Sequence, residues 1–421
     1  MTHFRPDPSL DALIRRLNDA ARSAVEPDPT ADEASPGEEG VAAPEIDARS
    51  DWTLPPEDTE ARDRLHGLLA RCREVDSTDL TLVAGAPPMA RVDGDLTPLE
   101  TDRLAASETT AMCAALVPRE RRATVSTSGA VDFSLTLAGL GRFRCNVHRE
   151  RATWSAAIRL FPRELPELEE LNLPEGLGRF AEAHHGLVLV TGPTGSGKST
   201  TLAAILKRTL ARRRVHVITI EDPVEYEHPH GGSVVEHIEI GRDAPTFVKA
   251  LRAALRQDPD VLLVGEMRDR ESISIAITAA ETGHLVLSTL HTGDAPQTIN
   301  RILDSYPAGQ IEAVRTQLSV SLAGIVSQRL LPRKDGAGRV PAVELVFASD
   351  AIRNLVRRGK IEQIRTQITL EQNAGMISLD QSLADLVRRG LVDLGEARSR
   401  ARAPNELESL LRENRTGSSV T

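Results

Sequence analysis

The chain is predicted to be an α/β protein: a doubly wound nucleotide-binding core, a smaller α+β segment before it and a mostly helical stretch after it. Three observations predict this. Leu187 to Leu202 reads LVLVTGPTGSGKSTTL, four apolar residues long enough for a buried strand, then a glycine-rich turn, then residues that open a helix. Further short apolar runs, Val215 to Ile220, Val261 to Val264 and Leu285 to Ser288, alternate with helical stretches such as Arg270 to Thr282. Strands without a polar face are what a parallel sheet covered on both sides contains. Upstream, residues 61–161 read as a helix followed by alternating, turn-punctuated strands.

In chain order, Leu10, Leu13, Ile14 and Leu17 fall at i, i+3, i+4 and i+7, the pattern of a short amphipathic helix. Val25 to Glu60 is rich in Pro, Ala, Gly and acid and has no periodicity, so a disordered linker is expected. Residues 1–60 hold fifteen Asp/Glu and five Arg, a balance of −10 that equals the charge of the whole chain. The remainder is therefore neutral and does not advertise nucleic acid as a ligand.

Order is expected to begin near Ala61, with Leu65, Leu68, Leu69 and Cys72 on one helix face. Strands follow at Leu80 to Val83 and Met89 to Val92, with turns at Gly85 to Pro88 and Asp93-Gly94 and a helix over Thr101 to Leu116. VDFSLTLAGLGRFRCNVHRERATWSAAIRLFP then reads as a small antiparallel sheet, and Pro162 to Pro174 as a proline-bounded connector. Beyond Pro307 helices are expected, with one strand at Ala342 to Phe347, and Thr416 to Thr421 as a frayed end. No apolar run approaches the roughly 18 residues of a membrane span. Cys72, Cys113 and Cys145 are too few and too scattered for a disulfide framework or a zinc site. With no secretory pattern in MTHFRPDPSL, a cytoplasmic protein is expected.

The chemistry centres on the glycine-rich turn. Gly192, Pro193, Thr194, Gly195, Ser196 and Gly197 fit a phosphate loop, with Lys198, Ser199 and Thr200 at the start of the helix. Glycines let backbone N–H groups turn inward around an anion, and the helix N-terminus faces the same charge. Lys198 would serve the outer phosphates of ATP and Ser199 a Mg²⁺ ion. Only five lysines occur in the chain, so this one does not come from a lysine-rich background. Three other strand ends carry polar groups, where open α/β sheets place ligands: Glu221, Glu266 and His291. Each alone reads equally well as a solvated loop residue; together they read as a site. Glu266 is the expected base for water, Glu221 a metal or water ligand, and His291 a donor to the γ-phosphate.

GPTGSGKST, TIEDPVEY, RQDPDVLLVGEMRD and TGHLVLSTLHT resemble, in order and spacing, the Walker A, Asp, Walker B and His boxes of the secretion and type IV pilus motor ATPases. The resemblance runs over about residues 60–395. PPMARVDGDL, GLGRFRCNVHRERA, QRLLPRKDGAGRVPAVELV, AIRNLVRRGKIEQI and GMISLDQSLADLV resemble the pilus-retraction (PilT-type) branch. Extension and type II secretion relatives carry cysteine pairs after the QRL segment, whereas Gln328 to Val340 has none.

The resemblance implies a RecA-like core over residues 175–395 behind a PAS-like domain at 61–161, joined by 162–174, with 396–421 as a tail. It also implies a homo-hexameric ATPase driving pilus retraction at the cytoplasmic face of the inner membrane. A membrane platform protein would be its partner and a pilus extension ATPase its counterpart. N-domain arginines would reach the phosphates, at the positions matching Arg144, Arg149 and Arg159. Departures are Arg151-Ala152 for the usual Arg-Gly, His237-Ile238 for Gln-Arg, and the acidic N-terminal stretch. These keep a regulatory or accessory ring ATPase as the alternative reading.

Overall fold

The computed structural model describes residues 53–92, 94–336 and 338–416. The helix expected at Leu10 to Leu17, the linker as far as residue 52 and residues 417–421 lie outside them. All described residues belong to one compact unit. The first helix, Thr59–Glu74, starts where the Asp58 carboxylate accepts from the Glu60 backbone N–H, and it buries Leu65, Leu68, Leu69 and Cys72. The start of order near Ala61 is thus corrected upstream. Leu54 is already buried, and the Pro55 carbonyl accepts from Arg122 at 2.9 Å.

That correction yields a prediction. A chain beginning at Thr53 should keep the thermal midpoint of the full-length protein. One beginning at Glu57 should lose about 2 kcal/mol or more, from one buried leucine and one buried hydrogen bond. Calorimetry of the two truncations checks this, and equal midpoints would show that Leu54 contributes nothing.

Six antiparallel strands follow, in the order β3-β2-β1-β6-β5-β4. They are β1 (Asp79–Leu82), β2 (Met89–Val92), β3 (Asp95–Pro98), β4 (Ala130–Leu137), β5 (Gly141–Glu150) and β6 (Thr153–Leu160). The helix expected from Thr101 begins later, at Ala106. Residues before it are held extended by hydrogen bonds between Leu104 and the Gly85–Ala86 turn, and Glu108 closes on the Ala105 N–H. On β5, Phe143, Cys145 and Val147 enter the domain's own core, so Arg142 and Arg144 stand on the opposite face.

The second sheet has seven strands in the order β13-β12-β7-β11-β10-β8-β9. These are β7 (Gly186–Thr191), β8 (His216–Glu221), β9 (Val234–Glu239), β10 (Val261–Val264), β11 (Leu285–Leu290), β12 (Leu322–Pro332) and β13 (Arg339–Phe347). All pair in parallel except β13, which returns antiparallel along β12. On β7, Leu187 and Leu189 pack on one layer while Val188 and Val190 pack on the other, which is why the run is apolar throughout.

Three expectations are corrected here. The stretch after Pro307 holds two strands, β12 and β13, and β9 adds a strand after β8 that the periodicity does not announce. LAGIVSQRLLP has no strand alternation because both faces of β12 are covered. Its Gly324 is required by packing: a Cβ there would sit 2.4 Å from the Phe180 ring. Of the residues read as a tail from 396, those described lie, apart from 401–403, in two helices, Leu394–Arg400 and Pro404–Thr416, with Ala397 and Leu407 fully buried.

Between those helices, the backbone N–H groups of Arg402 and Ala403 donate to the buried Asp380 carboxylate at 2.8 and 3.1 Å. The Arg402 side chain pairs with Asp294 and Glu344, whose side chains are 2% and 4% exposed. Arg402→Ala would leave the two buried carboxylates with the Arg365 guanidinium, 3.5 Å from Asp294, and one backbone donor each, Gln297 N–H to Asp294 and Ala295 N–H to Glu344, both at 2.8 Å. It should destabilise the protein by about 3 kcal/mol, read as a shift in the urea midpoint. An unchanged midpoint would mean that Arg365 and the two backbone donors suffice.

Candidate active site

The phosphate loop leaves the C-terminal end of β7 and enters the helix Lys198–Arg212. Gly192, Gly195 and Gly197 all have positive φ, at 145°, 76° and 86°. At Gly192 the demand is also steric, since a Cβ would lie 2.3 Å from the Gln328 carbonyl oxygen. The neighbouring strand β12 braces the loop. The buried Gln328 side chain donates to the Ser196 carbonyl at 2.7 Å and accepts from the Thr201 hydroxyl at 2.9 Å. The Thr191 hydroxyl donates to Ser327 at 2.8 Å. The Lys198 ammonium donates to the carbonyls of Gly192 and Pro193, both at 3.0 Å, so its charge lies in the mouth of the loop. Burial pushes this amine below the usual lysine range, while Glu266 and Glu225 pull the other way.

The expected strand-end groups converge here. Glu266, just beyond β10, has one carboxylate oxygen 3.1 Å from His291 Nε2 and accepts at the other from Arg268 Nε at 2.8 Å. Its backbone is steadied by β11, whose Thr289 hydroxyl donates to the Gly265 carbonyl at 2.5 Å. Glu221, at the end of β8, lines a cavity with Ser199, Tyr226, His228, Gly265 and Thr289. Burial pushes its carboxyl up to about 7; the Thr219 hydroxyl opposes this and the nearby Glu225 adds to it. Crowded carboxylates beside a serine hydroxyl, next to a loop shaped for an anion, fit a phosphate chain carrying a divalent cation.

The three arginines singled out from the sequence stand apart from one another in what they touch. Arg144 and Arg159 face each other across β5 and β6; Arg144 is exposed and Arg159 pairs with Asp79 at 2.9 Å. Arg149 lies over the Trp154 ring, 4.8 Å from its centroid. Residues that the sequence reading passes over include Glu225, Gln328, Tyr226, whose hydroxyl lies 3.1 Å from that of Thr200, and Arg142. Strand parity offered a signal for Arg142: apolar residues at 143, 145 and 147 turn 142 away from its own core.

A mostly parallel sheet carrying a phosphate loop, with a carboxylate and a histidine at adjoining strand ends, defines a P-loop ATPase of RecA-like fold. The chain belongs to the type II/IV secretion system protein family, whose model matches residues 101–397. It is 44% identical over 319 residues to a twitching motility protein of Neisseria gonorrhoeae, covering 76% of this chain and 85% of that one. To the type IV pilus retraction ATPase PilT of Pseudomonas aeruginosa it is 43% identical over 337 residues, 80% of this chain and 98% of the relative. A crystal structure of the pilus retraction motor PilT with bound ADP matches with a TM-score of 0.76 at 44% identity, covering 81% of this chain and 98% of that one. No helix among the described residues is long and apolar enough to cross a membrane.

Proposed function

We propose that this chain is the ATP-driven motor of type IV pilus retraction. It would work as a homo-hexameric ring in the cytoplasm, against a platform protein of the inner membrane and opposite an extension ATPase. The observation that carries the reading is the cluster of Lys198, Glu266 and His291 around the phosphate loop, in a chain that aligns with 98% of a retraction ATPase.

Each residue then has a task. The loop 192–197, with a backbone N–H at every residue but Pro193, and the helix N-terminus hold the phosphate chain, and Lys198 exchanges its two carbonyl partners for the outer phosphates. Thr200 sits on the same first turn, hydroxyl toward Tyr226. Ser199 and Glu221 would hold Mg²⁺, which would offset charge on the phosphates. Glu266 accepts the proton of the attacking water, and His291, whose Nε2 lies 3.1 Å from that carboxylate, is the candidate donor to the γ-phosphate. Arg144, Arg149 and Arg159 are the candidates for neutralising developing charge when the N-terminal domain moves over the site.

A deletion strain tests the retraction reading. Excess surface pili without twitching, restored by the intact gene, is the expected result; absence of pili would assign the chain to extension instead. Steady-state phosphate release by the purified protein separates a working motor from an accessory ring, which would bind nucleotide with little turnover.

A further inference from the structure

One arginine joins the two sheets. Arg142 lies on β5 of the N-terminal sheet, and its side chain is 7% exposed. A guanidinium has five N–H donors in a rigid plane, and all five are used here. Nε donates to the Val224 carbonyl at 2.7 Å. Nη1 donates to the Thr136 hydroxyl and to Glu227, both at 3.1 Å. Nη2 donates to the Ser134 hydroxyl at 2.9 Å and to the Glu239 carboxylate. Ser134 and Thr136 belong to the adjoining strand β4 and orient the plane from its own side. Val224, Glu227 and Glu239 belong to the ATPase sheet and the loop between β8 and β9.

The ATPase side is built to receive it. Glu239, 6% exposed at the end of β9, also accepts from the Ser134 hydroxyl and from the Val224 backbone N–H, the latter at 3.2 Å. Both backbone groups of Val224 are therefore held, the carbonyl by Arg142 and the N–H by Glu239. Val224 lies between Glu221, which lines the cavity with Ser199, and Glu225, whose charge acts on both Glu221 and Lys198. Two residues further on, Tyr226 reaches Thr200 on the first turn of the phosphate-loop helix. A buried ion pair is a poor source of net stability against an apolar replacement. What five planar bonds supply is geometry, which a lysine cannot reproduce.

We propose that Arg142 is a positioning residue for ATP hydrolysis. It ties the 221–227 segment to the N-terminal sheet, so that the aim of Glu221 and Glu225 follows the placement of that domain. The proposal rests on the hydrolysis reading above, and Arg142 itself touches no nucleotide in it.

The test uses the full chain with Arg142→Lys, which keeps the charge beside Glu239 and gives up the planar contacts. Arg142→Ala combined with Glu239→Ala serves as the second variant, because it leaves neither charge unpaired. In both, ATP affinity should stay within about threefold, since Lys198 and the loop amides are untouched. The kcat should fall about tenfold or more, the scale of a misplaced catalytic group. Amide exchange over residues 221–227 should quicken about tenfold, reporting a loosened segment whatever the turnover. Wild-type kcat in Arg142→Lys, or unchanged exchange in both variants, overturns the proposal. Loss of ATP affinity together with the thermal midpoint in both variants also overturns it, by making Arg142 a general structural strut. If the wild-type protein shows no turnover while exchange still rises, the hydrolysis reading fails and the tie between Arg142 and the segment stands.

Discussion

Replacing Lys198 with alanine is expected to abolish ATP turnover. The ammonium is the cation placed in the mouth of the phosphate loop, 3.0 Å from the carbonyls of Gly192 and Pro193. Those two contacts are all that the side chain donates to within the loop, so its loss removes charge from the site without removing a structural brace. The brace is Gln328, which holds Ser196 and Thr201 from β12 and is unaffected. The variant should therefore fold normally, with a thermal midpoint near that of the wild type. Its kcat should fall by about 10³ or more, the scale of a lost electrostatic clamp on a transferring phosphoryl group. Phosphate release and calorimetry on one preparation check both statements. Turnover at the wild-type rate would sink the motor reading, because none of residues 192–197 carries a cationic side chain.

The parts of this site that were legible in the sequence are those whose chemistry is local. A glycine spacing dictates a backbone shape, and the shape is present at Gly192, Gly195 and Gly197. A polar residue directly after a buried strand must emerge at the strand's end, which is how Glu221, Glu266 and His291 come together. What was not legible depends on who covers a surface. β12 was missed because burial on both faces erases the alternation that marks a strand. Gln328 was missed with it, since nothing local says that a glutamine in QRL will hold a loop more than a hundred residues upstream. The helices beyond Leu394 were hidden in an arginine-rich stretch. Their apolar spacing at Leu407, Leu410 and Leu411 was nevertheless a usable signal, and these residues pack on the helix Leu379–Arg388. Among the arginines from 142 to 159, parity separates those facing away from the domain core. Only the position of the second sheet shows that Arg142 is covered and Arg144 exposed.

Glu266→Gln should separate chemistry from binding. The carboxylate follows β10 and is held between His291 Nε2 at 3.1 Å and Arg268 Nε at 2.8 Å, with one fifth of its side chain exposed. Glutamine fills the same volume, and its amide oxygen can still accept from Arg268. What is lost is the negative charge that takes a proton from water and attracts the His291 ring. Binding should survive, because Lys198, the loop amides and the Gln328 brace lie outside the change. Turnover should fall by about 10² or more, the usual scale of a removed general base. The variant should accumulate with ATP bound. Equilibrium binding and phosphate release, measured together, test the two halves. Normal turnover would pass the role to another carboxylate. Glu221 is then the candidate: it lines the cavity with Ser199, and burial raises its carboxyl to about 7, close to the operating pH that suits a general base. Lost binding would mean instead that the charge on Glu266 steadies the ammonium of Lys198, and that the base must be sought elsewhere.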